Sequence, residues 1–196
     1  MLVNYQNAYP KVGGVFVNYK ESNPVLPPYT IRLKYRQGTT PSFSKGTGEL
    51  VDSTNNIWDL TYENTDWSAL LLNQYHLIEI INANTTNVTN MNNTFAGCQY
   101  LTTVQLFDTS NVGIMHNMFL NCNSLTIIPL FDTSKVTIMG AMFYNCYNVQ
   151  SGALALYQQA STQTNPPSEH WATFRGCGEQ TTSGAAELTQ IPDDWK

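Results

Sequence analysis

Charge is scarce in this chain. Charged residues make up 12% of its 196 positions, about half the ~25% of an average globular protein. Nine Lys and Arg stand against fourteen Asp and Glu, for a net charge of −5. Nucleic acid is therefore not expected as a partner, because phosphate binding needs clustered cations. Long apolar runs are missing too. No stretch approaches the ~20 residues of a membrane-spanning helix, so no span is expected. The opening Met1-Leu2-Val3-Asn4-Tyr5-Gln6 lacks a basic segment followed by an apolar one, so no secretory signal is visible. On that reading the chain starts in the cytoplasm of its producer and leaves by assembly or lysis. The four cysteines never form Cys-x-x-Cys, the close pairing a zinc site wants. Phosphate-cradling Gly-rich loops are absent. His76, His116 and His170 lie in unrelated surroundings, with no Ser, Cys or Asp placed by a recognised motif to make them catalytic bases. No enzyme activity, cofactor or metal is expected.

What the chain has in abundance is Asn and Thr, which together outnumber all charged residues. It also has a period. Cys98, Cys122 and Cys146 recur every 24 residues, as do Phe95, Phe119 and Phe143, Met91, Met115 and Met139, and Val88, Val112 and Val136. Leu106-Phe107-Asp108-Thr109-Ser110 and Leu130-Phe131-Asp132-Thr133-Ser134 are identical in residue type. A fixed period of this size marks a stack of units, each burying its apolar face against its neighbours. Within one period, Leu101, Val104 and Leu106 close on a spacing of two, which suits a short strand. Val112, Met115, Phe119 and Cys122 are spaced three, four and three, which suits one face of a helix. Ser110 and Ser134 stand where N-caps would sit. Gly97, Asn121 and Asn145 supply residue types that tolerate the left-handed conformation ending a helix. The repeat therefore reads as strand, turn, short helix, turn. The ladder cysteines are expected to be buried, reduced thiols packing as small hydrophobes, although stacking could bring two sulfurs within bridging range.

Phe107-Asp108-Thr109-Ser110-Asn111-Val112, followed by Met115-x-x-Met118-Phe119-x-x-Cys122-x-x-Leu125, resembles the leucine-rich repeat class, and more closely the BspA-like repeats of bacterial surface proteins. The same frame recurs from Phe131 to Val149, and the likeness covers roughly residues 73–149. It implies an α/β fold: a short leucine-rich-repeat solenoid of 24-residue strand–turn–helix repeats, with a β-rich N-terminal cap and a helical C-terminal cap. It also implies a binding protein of the kind found on gut bacteria and their phages, and brings no catalytic residues.

The flanks divide accordingly. Residues 1–28, rich in proline, read as an arm for attachment or oligomerisation, carrying Tyr5, Tyr9, Phe16 and Tyr19 as contact residues. Residues 29–72 form the β-rich cap. Ile31, Leu33 and Tyr35 alternate there with Arg32, Lys34 and Arg36, a half-exposed strand with a basic outer face. Trp67, Leu71 and Asn73 fall one period before Met91, Phe95 and Gly97, as a degenerate repeat. Residues 73–149 are the repeats. Residues 150–196 hold a stretched last repeat, in which Phe174 arrives seven residues late, and a cap containing the helix-forming run Ala153 to Ala160.

Function then rests on surface. Between the inward positions of the strands, Glu79, Ile81, Thr103, Gln105, Ile127 and Pro129 are expected to face outwards, continued by Phe107 and Phe131 at the strand ends. That row is the candidate ligand face, unusually apolar for a surface. Asp108 and Asp132, with Asn84 one coil earlier, are read as turn side chains bonding their own backbone rather than as cation ligands. The expected protein is a recognition or adhesion module on a virion or cell surface. Its partners would be a host-surface protein or glycan and, through the arm, virion or surface proteins or further copies of itself, with a trimer as the guess. The alternative is an architectural virion subunit with only protein contacts inside the particle. A hydrolase of surface polymers lacks any acid–base pair that the sequence identifies.

Overall fold

A computed structural model describes residues 25–196; the arm residues Tyr5, Tyr9, Phe16 and Tyr19 lie outside the described residues. The first described elements are strands β1 (Thr30–Tyr35), β2 (Thr47–Asp52) and β3 (Ile57–Thr61), followed by β4 (Leu77–Ala83) and the two-residue β5 (Thr103–Val104). They form one mixed sheet in the order β2-β3-β1-β4-β5. β1 runs antiparallel to β3 and β4, and β4 runs parallel to β5. Alternation on β1 fixes which side is covered: Ile31, Leu33 and Tyr35 are buried, while Arg32 and Lys34 between them are half-buried. The Arg32 guanidinium is engaged by Asp59, its cross-strand neighbour on β3, with Nε and Nη2 each donating over 2.7 Å to one carboxylate oxygen. A two-pronged pair of this kind is among the stronger charged contacts.

The expected α/β leucine-rich-repeat solenoid is not what forms. The protein is mainly β, and its only α-helices among the described residues are α1 (Ala153–Thr162) and α2 (Thr182–Leu188). Across the repeats, the segments assigned to helices are tight turns, and the backbone shows why. Ala69, Asn93, Asn117, Ala141 and Ala172 have φ of 53–54°, and each is followed four residues later by a second left-handed residue: Asn73, Asn121 and Asn145 at 58–62°, Gly97 at 75° and Gly176 at 71°. Left-handed residues at such short intervals are incompatible with a right-handed helix. The backbone N–H groups consequently point to the next coil: Phe95 N–H to Met118 O (2.9 Å), Phe119 N–H to Met142 O (2.9 Å) and Phe143 N–H to Thr173 O (2.8 Å). Residues spaced three, four and three face inwards because the turns aim them there. Nor do Ser110 and Ser134 cap helices; their N–H groups donate to Asp108 Oδ1 (2.9 Å) and Asp132 Oδ1 (2.8 Å), closing Asx turns.

The period survives as register between coils. Single parallel bridges link Asp66 to Asn90, Asn90 to Ile114, Ile114 to Ile138 and Ile138 to Glu169. The rings of Phe95, Phe119, Phe143 and Phe174 are wholly buried and stack at centroid distances of 5.2, 5.3 and 6.0 Å, within 14° of parallel. Such offset stacks gain beyond the area they bury. At the far end α1 buries Ala153, Leu156 and Ala160, and its first turn is closed by α2: the Glu187 carboxylate accepts from Gly152 N (3.3 Å) and Leu154 N (3.0 Å). A carboxylate at a helix N-terminus meets both the free donors and the positive end of the dipole.

All four cysteines are free and buried. Cys98, Cys122 and Cys146 donate their thiols to the carbonyls of Leu71 (3.3 Å), Phe95 (3.2 Å) and Phe119 (3.2 Å) in the preceding coil. Burial disfavours the thiolate, pushing Cys98 up to about 12 and the other three upward as well. An unfolded thiol ionises near about 8.5. The raised folded pKa therefore contributes stability that is complete below that value. It declines as pH rises from about 9 through the folded pKa, because only the unfolded chain gives up its protons there. Denaturant midpoints measured across that range should fall steadily, and a thiol reagent at neutral pH should label the cysteines only on unfolding.

Candidate functional site

The candidate ligand face is built where β4 meets the repeats. Glu79 and Ile80 of β4 pair with Thr103 and Val104 of β5, and Ile127 bridges Ser151 in the coil after its own. Thr102 and Thr126 tie the coils together, each donating N–H and hydroxyl to the residue one period earlier, Ile78 and Thr102 respectively. Thr103 and Ile127 face solvent, with Ile127 42% exposed, whereas Glu79, Ile81, Gln105 and Pro129 are half-buried. Phe107 and Phe131 do not belong to this face. Both are buried and their rings pack at 5.2 Å, with Phe131 also stacked on Phe119 at 5.9 Å. The inward residues are Leu101, Val104 and Phe107, then Leu125, Ile128 and Phe131, spaced by three rather than closing on two. Alternation holds only as long as a strand does, and β5 ends after two residues. After Pro129 the chain turns sharply, Phe131 N–H donating to Pro129 O at 2.9 Å. Leu106 and Leu130, assigned by the spacing to the interior, are instead 36% and 48% exposed. The exposed apolar residues of this face are thus Leu106, Ile127 and Leu130.

A second arrangement lies on another row of the coils. Backbone bonds place Asn92, His116, Gly140 and Trp171 in line: their carbonyls accept from Ala69, Asn93, Asn117 and Ala141 at 2.8–3.1 Å. Gly140 brings no side chain, so the Trp171 indole folds over it and reaches the His116 ring at a centroid distance of 5.8 Å. A Cβ on Gly140 would stand 3.1 Å from the indole Nε1 and 3.3 Å from His116 Nδ1. The sequence signal for this pairing was a glycine between His116 and Trp171 in the ladder, hidden because the last step is 31 residues rather than 24.

The other polar groups are occupied locally. His76 is exposed, and His170 lies on the Trp195 ring at 4.3 Å, with Nε2 3.3 Å from Asp194 Oδ2. Asp108 and Asp132 hold their own turns, and Asn84 receives the Thr86 hydroxyl at 3.1 Å. Among the described residues no three His, Cys, Asp or Glu side chains converge as a metal site, and no helix is long and apolar enough to cross a membrane. Among the described residues, one shallow cavity of about 220 Å³ lies beside Leu26 and Asn84, and another of the same volume beside Tyr35 and Gln74.

Fold and surface together define a mainly β protein of stacked turns with exposed apolar residues, Leu106, Ile127 and Leu130, beyond the sheet edge. The chain belongs to the family described as Mycoplasma protein of unknown function, DUF285, which matches residues 56–172. That span takes in the Phe ladder as far as Phe143, α1, and the whole row ending at Trp171, and leaves out β1, β2 and α2. No curated protein and no solved structure matches the chain.

Proposed function

We propose that this protein is a non-enzymatic recognition or adhesion protein, displayed on a phage virion as a head or tail-fibre-type accessory, or on a bacterial surface. The observation that carries the reading is the outward placement of Leu106, Ile127 and Leu130 on backbone pinned from coil to coil. Apolar side chains gathered on a polar, rigid face are a common mark of a contact site. The likeness of Phe107–Val112 and Met115–Leu125 to BspA-like repeats supports the same class, with a host-surface protein or glycan as the ligand. Residues 1–28 would attach the protein to its carrier or to further copies, a trimer being the working stoichiometry.

The test is retention of purified protein on intact bacterial cells, followed by flow cytometry. Ile127→Asp combined with Leu130→Asp should lower retention by about tenfold or more, as loss of a central contact does. The melting temperature should hardly move, since exposed substitutions usually cost within about 0.5 kcal/mol. Equal retention of both proteins would remove this face from the reading. If neither is retained while the row is shielded from labelling inside purified particles, the protein is an architectural subunit.

A further inference from the structure

We infer that the outer edge of β2 is a docking site for an extended segment of a partner protein. That segment joins the sheet as a further strand, with Lys or Arg beside Glu49 and apolar residues beside Leu50. The surface is separate from Leu106, Ile127 and Leu130, and the inference does not rest on the recognition reading. β2 ends the sheet on one side and, among the described residues, pairs only with β3. On the other side the coils continue it, Thr126 N–H donating to Thr102 O at 3.3 Å. Every residue of β2 from Thr47 to Val51 is exposed. An edge strand turns half of its backbone N–H and C=O groups away from the sheet, and these are a template for another strand. The pairing register is regular from Thr47 to Leu50 and slips only at Val51, so the template is an unbroken run.

The two faces of this edge differ, and the difference selects the partner. On one face the cross-strand row runs Arg32, Asp59, Glu49. Arg32 grips both oxygens of Asp59, so Glu49 meets a carboxylate, and among the described residues it forms no ion pair. Like charges opposite each other across strands are unfavourable. Asp52 on the same face is better placed. Its carboxylate accepts from Thr54 N, Asn55 N and Asn55 Nδ2 at 2.8–3.1 Å, and Lys34 stands across Ile57 from it. Lys45, just before the strand, donates instead to Ser68 O at 2.7 Å. Glu49 is thus the uncompensated charge of the edge. A cation on a strand laid about 4.8 Å beyond β2 supplies its partner. On the other face Leu50 is 44% exposed opposite Trp58. Phe43 packs on Trp58 in a T shape at 6.3 Å and covers Gly48, where a Cβ would collide with the ring. An apolar side chain of the added strand extends this row. A segment alternating basic and apolar residues therefore satisfies both faces. A second copy of β2 does not, because two-fold pairing keeps like faces together and sets the two Glu49 carboxylates opposite or diagonal to each other.

Titration calorimetry and NMR-detected amide hydrogen exchange on the full chain test this, with a capped peptide alternating lysine and valine as the probe. Saturable binding is expected, with added protection at the backbone amides of residues 47–50 and none at residues 106, 127 and 130. Glu49→Lys should weaken the lysine peptide about tenfold or more and make a glutamate–valine peptide the better ligand. Its melting temperature should hold or rise, since the repulsion with Asp59 is gone. The lysine peptide N-methylated along its backbone, which cannot complete a ladder, should not bind. No saturable binding, equal affinity of the unaltered chain for the glutamate peptide, undiminished binding of the N-methylated peptide, or protection elsewhere overturns the inference. So does dimerisation that protects the same amides with no peptide present, which would make a second copy the occupant. If the peptide fails while cell retention still depends on Ile127 and Leu130, the docking site is wrong and the recognition reading stands.

Discussion

Phe119→Ala is expected to destabilise the protein by about 3–5 kcal/mol, the range for removing a buried aromatic. At roughly 2–4 °C per kcal/mol for a chain of this size, its melting temperature should drop by about 10 °C. The expectation follows from position. Phe119 has Phe95 on one side at 5.2 Å, Phe143 on the other at 5.3 Å and Phe131 at 5.9 Å. Its loss opens a gap between coils whose backbones are already bonded and cannot collapse to fill it, so the cavity cost stays near its maximum. Phe107→Ala, at the edge of the same group and 6% exposed, should cost less. Calorimetry on both variants checks the order; equal losses would mean that the rings do not share a stack.

Gly178→Ala should rank close behind, at about 3 kcal/mol. Two costs combine. Gly178 has φ +72°, a conformation that penalises an L side chain by roughly 1–2 kcal/mol. Its missing Cβ would also lie 2.8 Å from both Gly184 Cα and Val149 O, closer than atoms can pack, and overpacking adds about 1–3 kcal/mol. Gly184→Ala meets the same crowding from α2, with Gly178 Cα at 2.7 Å and Thr181 Oγ1 at 2.6 Å. Because both substitutions spoil one contact, the double variant should cost less than the sum of the singles. Denaturant melts of the three proteins measure this directly. Strict additivity would place the two glycines in separate environments and refute the account.

Much of the interior was legible in the sequence, because inward residues recur at a fixed interval whatever the backbone does between them. Phe95, Phe119 and Phe143 could be aligned without knowing the path that joins them. The conformation of that path was not legible. Spacing of three, four and three is the signature of a helix, and stacked turns happen to reproduce it. The decisive residues, Ala69, Ala141 and Ala172 in the left-handed region, are of the type least expected there. The same blindness misplaced Leu106 and Leu130, since a spacing of two indicates facing only while the strand lasts. It put Phe107 and Phe131 outside for the same reason. The run from Ala153 onwards was readable as helix because helix formers there meet no left-handed interruption. Trp171 and His116 were not joined, because the one signal was a glycine at position 140 and the step beyond it runs 31 residues instead of 24.

The late arrival of the last coil can be put in terms of chain entropy. Each rung from one coil to the next closes a loop of about 24 residues, and the final rung, from Phe143 to Phe174, closes one of 31. Closure entropy grows only with the logarithm of loop length, so those seven extra residues cost about 0.2 kcal/mol. Against so small a charge, inserting α1 between two coils is almost free once Ala153, Leu156 and Ala160 find cover. The stack can thus carry a helix within a single step, and the residue that emerges beyond it is Trp171, already seated in line with His116.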